Sequence, residues 1–293
     1  MFLPLFLGFL LTAQQGILTD NLTITKDGNT VTIINREDYT FPQTGLPLIN
    51  SNKYNKFLDN LEHQFSIAPK NASLDQNGNI NPERVGSTIH RQAFTNEFYA
   101  YLFSSRKVQL EIPILTVYPK VDSELLADIR SMRIGRYVTS FNPRNKKRSN
   151  NIQLATNAIN NHVVFPGETF SFNRVVGKRT AGKGYLPAPV IVKGEFSEDI
   201  GGGICQVSST LYNAVDNAGV QIVERFSHSR KVPYIPPGRD ATVSWYGPDF
   251  EFKNNYNQPV LIRARTLGHL LIIKIYSSEN INYIPKKIPA PRY

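Results

Sequence analysis

A chain of 293 residues, 41% of them hydrophobic and 11% aromatic, has apolar material for one large core or two modest ones, which excludes wholesale disorder. Lys and Arg number 33 against 23 Asp and Glu, a net charge of +10 that favours anionic surfaces, but no nucleic-acid-binding motif accompanies it and the basic run Arg144 to Arg148 reads as a short solvated loop, so nucleic acid is not an expected partner. The single cysteine excludes an internal disulfide and zinc-finger-type thiolate sites, and the five histidines, at 63, 90, 162, 228 and 269, show no paired ligand spacing, so no metal or other cofactor is expected.

Met1 to Ala13 is almost wholly apolar, with Phe2, Leu3, Leu5, Phe6, Leu7, Phe9, Leu10 and Leu11, yet too short to span a bilayer as a helix. It fits the apolar part of a secretory signal, although a positively charged start is missing and Leu11 suits a cut at Ala13 poorly. Residues 1–20 are read as an export signal with no cysteine behind them for a lipid anchor. The mature chain is expected to be secreted or held at the wall or membrane surface. No later stretch is long and apolar enough to cross a membrane, so no integral membrane domain is expected.

Leu22 to Ile34 alternates in polarity around Asp27-Gly28, a hairpin signature. Tyr54 to Gln64 has helical spacing through Phe57, Leu58 and Leu61, and Ala72 to Ile80 reads as a short hairpin about Asn77-Gly78. Val85 to Phe103 reads as a helix entering at Ser87-Thr88. Val108 to Val117 is a strand interrupted by Pro113, and Ser123 to Ile129 is a short helix that Asp122 or Ser123 can cap. Beyond residue 137, Ile152, Ala155 and Ile159 share a helical face, and Pro166-Gly167 turns the chain before Phe170 to Phe172. Strands are expected at Pro189–Val192, Val220–Glu224, Ala241–Trp245, Val260–Ala264 and Leu270–Tyr276. Residues 281–293, with Lys286-Lys287 and several prolines, read as a mobile basic tail. The fold class is α+β, with a small N-terminal α+β module over 21–136 and a mixed α/β domain with a strand-rich C-terminal half over 137–280.

The most informative run is Gly201-Gly202-Gly203-Ile204-Cys205-Gln206-Val207-Ser208-Ser209-Thr210-Leu211-Tyr212-Asn213-Ala214. Val207, Leu211, Ala214 and Ala218 recur at helical spacing and Gly219 is a natural stop. The thiol then sits at a helix N-terminus, where partly positive N–H groups favour the thiolate. A strand follows and His228 lies just past its end. Asp240 comes twelve residues later, across a Pro-Pro-Gly turn. Cys205 as nucleophile, His228 as base and Asp240 as orienting carboxylate are the candidate catalytic residues, in an order shared with transglutaminase-like and papain-like thiol enzymes. Gln206, or the backbone N–H of Cys205, can help hold an oxyanion. Gly201, Gly202, Gly203, Gln206, Ser209, Arg225 and Tyr185 are candidate ligand-binding residues; Tyr234 and Trp245 can stack on sugar faces. The competing reading makes Cys205 a structural or ligand-contacting thiol.

The same run resembles the signature of the VanW-like family. Matching segments flank it, among them Asn151-Ile152, Pro166-Gly167-Glu168-Thr169-Phe170-Ser171-Phe172-Asn173, Glu224-Arg225, His228-Ser229, Val232-Pro233-Tyr234, Gly238-Arg239-Asp240-Ala241 and Asp249-Phe250-Glu251-Phe252-Lys253-Asn254. The resemblance spans about residues 137–276. Asn71-Ala72, the Asn-Gly turn, Val85-Gly86, Val108 to Ile114 and Pro119-Lys120-Val121 more loosely resemble the peptidoglycan-binding domain that often precedes a VanW-like domain; a generic α+β module is the other reading. These resemblances imply an exported protein of the Gram-positive envelope that binds or modifies peptidoglycan or its peptide stems. The positive charge adds anionic wall polymers as partners. Two classes stay open. One is a thiol hydrolase or acyltransferase acting on peptide stems; the other is a non-catalytic wall-binding or accessory protein with a glycine-walled ligand cleft.

Overall fold

The computed structural model describes residues 21–41, 48–103, 108–192 and 195–290; the apolar segment read as an export signal lies outside them. Helices and strands intermix in an α+β architecture. The chain forms two compact units, one made by residues up to 70 with 84–119, the other by 71–83 with 120 onward. Among the described residues no helix is long and apolar enough to cross a membrane.

In the first unit Asp27 and Gly28, both at positive φ, turn strand Asn21–Lys26 antiparallel onto Asn29–Asn35. Strand Gln109–Glu111 adds in parallel on the other edge. Leu22 and Ile24 pack with helices Ser51–Phe65 and Arg91–Phe103 through Tyr54, Leu58, Phe94 and Phe98. The helix expected from Val85 is shorter: Gly86–Ile89 is a strand paired with Ile114–Val117. The β-branched Thr88 and Ile89 suit that pairing, and the helix begins after His90, whose Nδ1 accepts the Ala93 N–H at 3.3 Å. Pro113 splits Val108–Val117 into two strands of different sheets, and its carbonyl accepts the His90 N–H at 2.8 Å.

The second unit is built on an antiparallel sheet ordered Met132–Ser140, Leu270–Ser277, Val260–Leu267, His162–Val164. The two-residue period of its strands sorts their side chains. Ile262, Ala264, Ile273 and Ile275 enter the main core with helices Lys146–Ile159 and Ile204–Asn217, while Val163, Leu261 and Tyr276 meet Leu126 and Ile129 of helix Ser123–Ile129. A smaller sheet of Thr169–Ser171, Glu251–Lys253 and Gln221–Glu224 adds Phe170 and Phe252, stacked 4.8 Å apart. Hairpin Pro187–Val192 with Glu195–Ile200 feeds directly into Gly201.

Two expectations for the C-terminal part of the chain also differ. Residues 241–245 form no strand and make only an isolated bridge between Thr242 and Phe226, because side chains of helix Ile204–Asn217 take up their backbone groups. The C-terminal stretch does not trail away. Lys286 N–H donates to the Asn217 carbonyl and the Asn217 amide returns a bond to the Lys286 carbonyl, both at 3.0 Å, and Tyr137 donates to Pro289 O at 3.3 Å.

Candidate functional site

Gly201 and Gly203 lie at φ +94° and +106°, conformations that side chains disfavour. Gly202 is there for a different reason: a Cβ on it would stand 2.4 Å from the Ala188 carbonyl oxygen. Buried Asn151 pins this contact, donating to Gly202 O at 3.0 Å and Leu186 O at 2.8 Å while accepting the Leu186 N–H. The turn ends at Gly203, and Cys205 stands in the first turn of helix Ile204–Asn217.

The polar face of that helix fastens the segment that carries Asp240. Ser208 donates to Ala241 O at 2.6 Å, and Ser209 accepts the Ala241 N–H at 2.9 Å while donating to Cys205 O. One helical turn on, Asn213 donates to Arg239 O and accepts from the Arg239 guanidinium, both at 2.7 Å. The next two residues of the segment are thereby laid against the thiol. Cys205 Sγ lies 3.5 Å from Val243 O and 3.8 Å from the Thr242 hydroxyl.

Asp240 Oδ2 accepts from His228 twice, from ring Nδ1 at 2.7 Å and from the backbone N–H at 2.5 Å. Both side chains are buried. Arg225 ties the ends of this loop together by donating to Asp240 O at 2.6 Å and Gly238 O at 3.3 Å. Burial pulls the His228 imidazole down, but the hydrogen bond and charge of Asp240, with a contribution from Cys205, push it up to about 9. Burial pushes the Cys205 thiol up; the hydrogen bond and charge of His228 outweigh it and hold the thiol below its ordinary value. Burial also works against Asp240, yet its bonds from His228 keep it below the usual carboxylate range. The three groups favour an imidazolium between a thiolate and a carboxylate.

Cys205 and His228 both line a cavity of about 940 Å³, toward the upper end of the range for small-molecule sites, roughly 300–1,000 Å³. Gly201, Gly203, Gln206, Tyr234 and Trp245 also line it. Asp240 sits behind His228. Gln206 is committed within the fold: its amide donates to Thr139 Oγ1 and Ser140 O at 2.9 Å, and its oxygen accepts from Arg148 at 2.7 Å. The structure places four ligand-binding candidates away from the cavity lining. Gly202 faces the hairpin, Ser209 is buried against residue 241, Arg225 lies over the Tyr212 ring at 5.0 Å, and Tyr185 is in the core.

Arg148, Lys178 and Arg179 line the cavity without having been singled out. The basic run expected to be a loop instead enters helix Lys146–Ile159, capped by Asn145. Arg148 precedes Ile152, Ala155 and Ile159 by 4, 7 and 11 residues, so the helical period already put it on the inward face. Lys178-Arg179 carries no comparable signal. Among the described residues, no group of His, Cys, Asp and Glu forms a metal-binding cluster.

Residues 147–276, which hold Cys205, His228, Asp240 and the three cavity cations, match a family model described as VanW like protein. YoaR of Bacillus subtilis (strain 168), described as an uncharacterized protein, is 56% identical over 285 residues, covering 97% of this chain and 94% of that protein. The vancomycin B-type resistance protein VanW of Enterococcus faecalis (strain ATCC 700802 / V583) is 31% identical over 110 residues, covering 36% of this chain and 40% of that protein. No solved structure matches. A near full-length relative and a family match that covers Cys205, His228 and Asp240 agree with the residue pattern read from the sequence, and the chain belongs to the VanW-like family.

Proposed function

We propose that this chain is an exported cell-wall protein that acts as a thiol hydrolase or acyltransferase on peptide stems, with Cys205 as nucleophile, His228 as proton carrier and Asp240 as the group that orients it. The observation that carries the reading is the His228–Asp240 hydrogen bond at 2.7 Å, with His228 and Cys205 both lining one cavity of about 940 Å³ and acting on each other's protons. Membership of the VanW-like family supports the association with the cell wall.

The chemistry follows from the charges. The thiolate attacks a peptide carbonyl carbon, forming a C–S bond and a tetrahedral oxyanion beside the first-turn N–H groups of helix Ile204–Asn217. The His228 imidazolium gives its Nε2 proton to the departing amine as the C–N bond breaks, leaving a thioester and a neutral imidazole. Asp240, fixed on Nδ1, keeps that ring in the tautomer that leaves Nε2 free to take up a proton. His228 then takes a proton from water, giving hydrolysis, or from an incoming amine, giving acyl transfer, and the C–S bond breaks.

The test is incubation of the purified chain with cell-wall sacculi and with soluble muropeptides, followed by intact-mass spectrometry and product analysis. The expected result is an acyl adduct on Cys205, with release or exchange of an amine, absent in Cys205→Ala and strongly reduced in His228→Ala. Retention on sacculi with no adduct and no product from the native chain would support the non-catalytic wall-binding alternative and overturn this one.

A further inference from the structure

The cavity beside Cys205 is unevenly charged. Arg148, Lys178, Arg179 and His228 line it, and Asp199 is the one carboxylate among the described lining residues; its Oδ1 already accepts the Ile200 N–H at 2.7 Å. Lys178 has a partner, the Tyr246 hydroxyl at 2.7 Å. The two guanidiniums make no salt bridge with a carboxylate among the described residues. Arg148 is aimed by its bond to Gln206, itself locked by Thr139 and Ser140, and it lies over the Tyr234 ring at 5.9 Å. One of its five N–H donors is used in that bond.

Arg179 is the more telling group. Both terminal nitrogens are buried and have no hydrogen-bond partner among the described residues, and the guanidinium rests 5.8 Å from the Phe172 ring centre. Asp249 acts on it only through its charge, its oxygens being taken by Ser171, Asn173 and Phe250. A buried cation without an acceptor is costly, and a ligand that supplies the acceptor removes that cost. The glycine turn explains why both arginines stand near the thiol. A Cβ on Gly201 would lie 3.4 Å from Arg179 Cβ and Cγ, and one on Gly203 would lie 2.8 Å from Arg148 Cγ. The two arginine stems run along the bare glycines that lead into Cys205.

We propose that Arg148 and Arg179 form a carboxylate-binding subsite beside Cys205, so that the cavity takes its peptide ligand through a free carboxylate. The inference deepens the thiol-enzyme reading by naming the group that the substrate must carry. Guanidinium forks match a carboxylate in a way that a lysine ammonium cannot. The carboxylate can come from the end of a peptide or from an acidic side chain, and the two are separable by probe.

Calorimetry on Cys205→Ala protein with three peptides tests the subsite without using the thiol. These are N-acetyl-alanyl-alanine, its C-terminal amide, and N-acetyl-alanyl-glutamate with only the side-chain carboxylate free. One acidic peptide should bind at least about tenfold more tightly than the amide, the scale of a charge-assisted bond, and its identity reports the source. Arg179→Gln should erase that preference, and Arg179→Lys should restore part of it. Equal binding of all three peptides, or no binding of any, overturns the subsite. Should Arg179→Gln fail to fold, Arg148→Gln and the preference of the parent protein carry the test. Alkylation of the native thiol then places the subsite: Arg179→Gln should slow iodoacetate about tenfold while changing iodoacetamide less than about twofold. Equal slowing of both reagents removes the carboxylate from the neighbourhood of Cys205. A native thiol slow to both reagents overturns the enzyme reading and leaves the calorimetric result standing.

Discussion

Asp240 holds His228 by two bonds to one oxygen, Oδ2, which accepts the backbone N–H at 2.5 Å and the ring Nδ1 at 2.7 Å. A carboxylate shared in this way fixes where the loop begins and how the ring turns. Its own position is set from the Cys205 helix, through Ser208, Ser209 and Asn213. Thiol, imidazole and carboxylate are thus referred to one rigid element, which is how a site is kept in working geometry.

Asp240→Asn should therefore release the imidazole. With the charge gone, the His228 titration, followed by NMR of the ring protons, should fall from about 9 by at least about one unit toward the ordinary histidine value. An unchanged titration would show that Asp240 orients the ring without acting on its proton.

The thiol should be reactive at neutral pH. Iodoacetamide labelling of Cys205 in the folded chain should titrate below the midpoint of the same thiol in urea, because His228 holds it down. His228→Gln should move the folded midpoint up by at least about one unit, since a neutral amide replaces a cation. Identical profiles for the folded and unfolded chains would remove the basis for a thiolate.

Stability should follow the imidazole in sign. The folded value of His228 is raised from 6.5 to about 9, so its contribution is fully present below about 6.5 and lost as pH rises through about 9. Asp240 works the other way: its value is lowered, so its contribution holds above the ordinary carboxylate range and disappears as pH falls through the folded value. In a Cys205→Ala background, which removes the thiol's own titration and its share of the His228 shift, urea-unfolding free energy should decline over a narrower window that starts above about 6.5 and ends short of about 9. Adding Asp240→Asn should flatten the decline. A rise with pH over the same window would contradict the pairing.

Ser209→Ala should destabilise the fold without removing a side chain that lines the cavity. The buried Ala241 N–H loses its acceptor, which costs about 1–3 kcal/mol, and the Asp240 segment loosens from the helix. Thermal melts should show the loss, and alkylation of Cys205 should slow as His228 loses its fixed position. A variant with parent-like melting and labelling would show that this bond positions nothing.

Gly202→Ala should act through folding before it acts on chemistry. The added Cβ meets the Ala188 carbonyl at 2.4 Å, so the hairpin must shift, at about 1–3 kcal/mol for overpacking of this kind. Equilibrium unfolding measures it, and an unchanged midpoint would place Gly202 free of the hairpin.

Much of this was legible in the sequence because it is written in local periods. The helical spacing of Val207, Leu211, Ala214 and Ala218 gave the Cys205 helix, and Asp27-Gly28 gave its hairpin, since both depend on neighbours within a few residues. The pairing of His228 with Asp240 was readable as an order of residues, Cys then His then Asp, without its geometry. Tertiary structure decided the rest. Residues 241–245 alternate like a strand, yet their backbone is claimed by Ser208, Ser209 and Cys205 from more than thirty residues away, and no local pattern records such a competitor. Gln206 looked available to a ligand, but Thr139, Ser140 and Arg148 occupy it from elsewhere in the chain. Arg179, within an unremarked Lys-Arg pair, became the buried cation without an acceptor because packing against Phe172 and Gly201 put it there. Periodicity tells which way a side chain faces; only the folded chain decides what it meets.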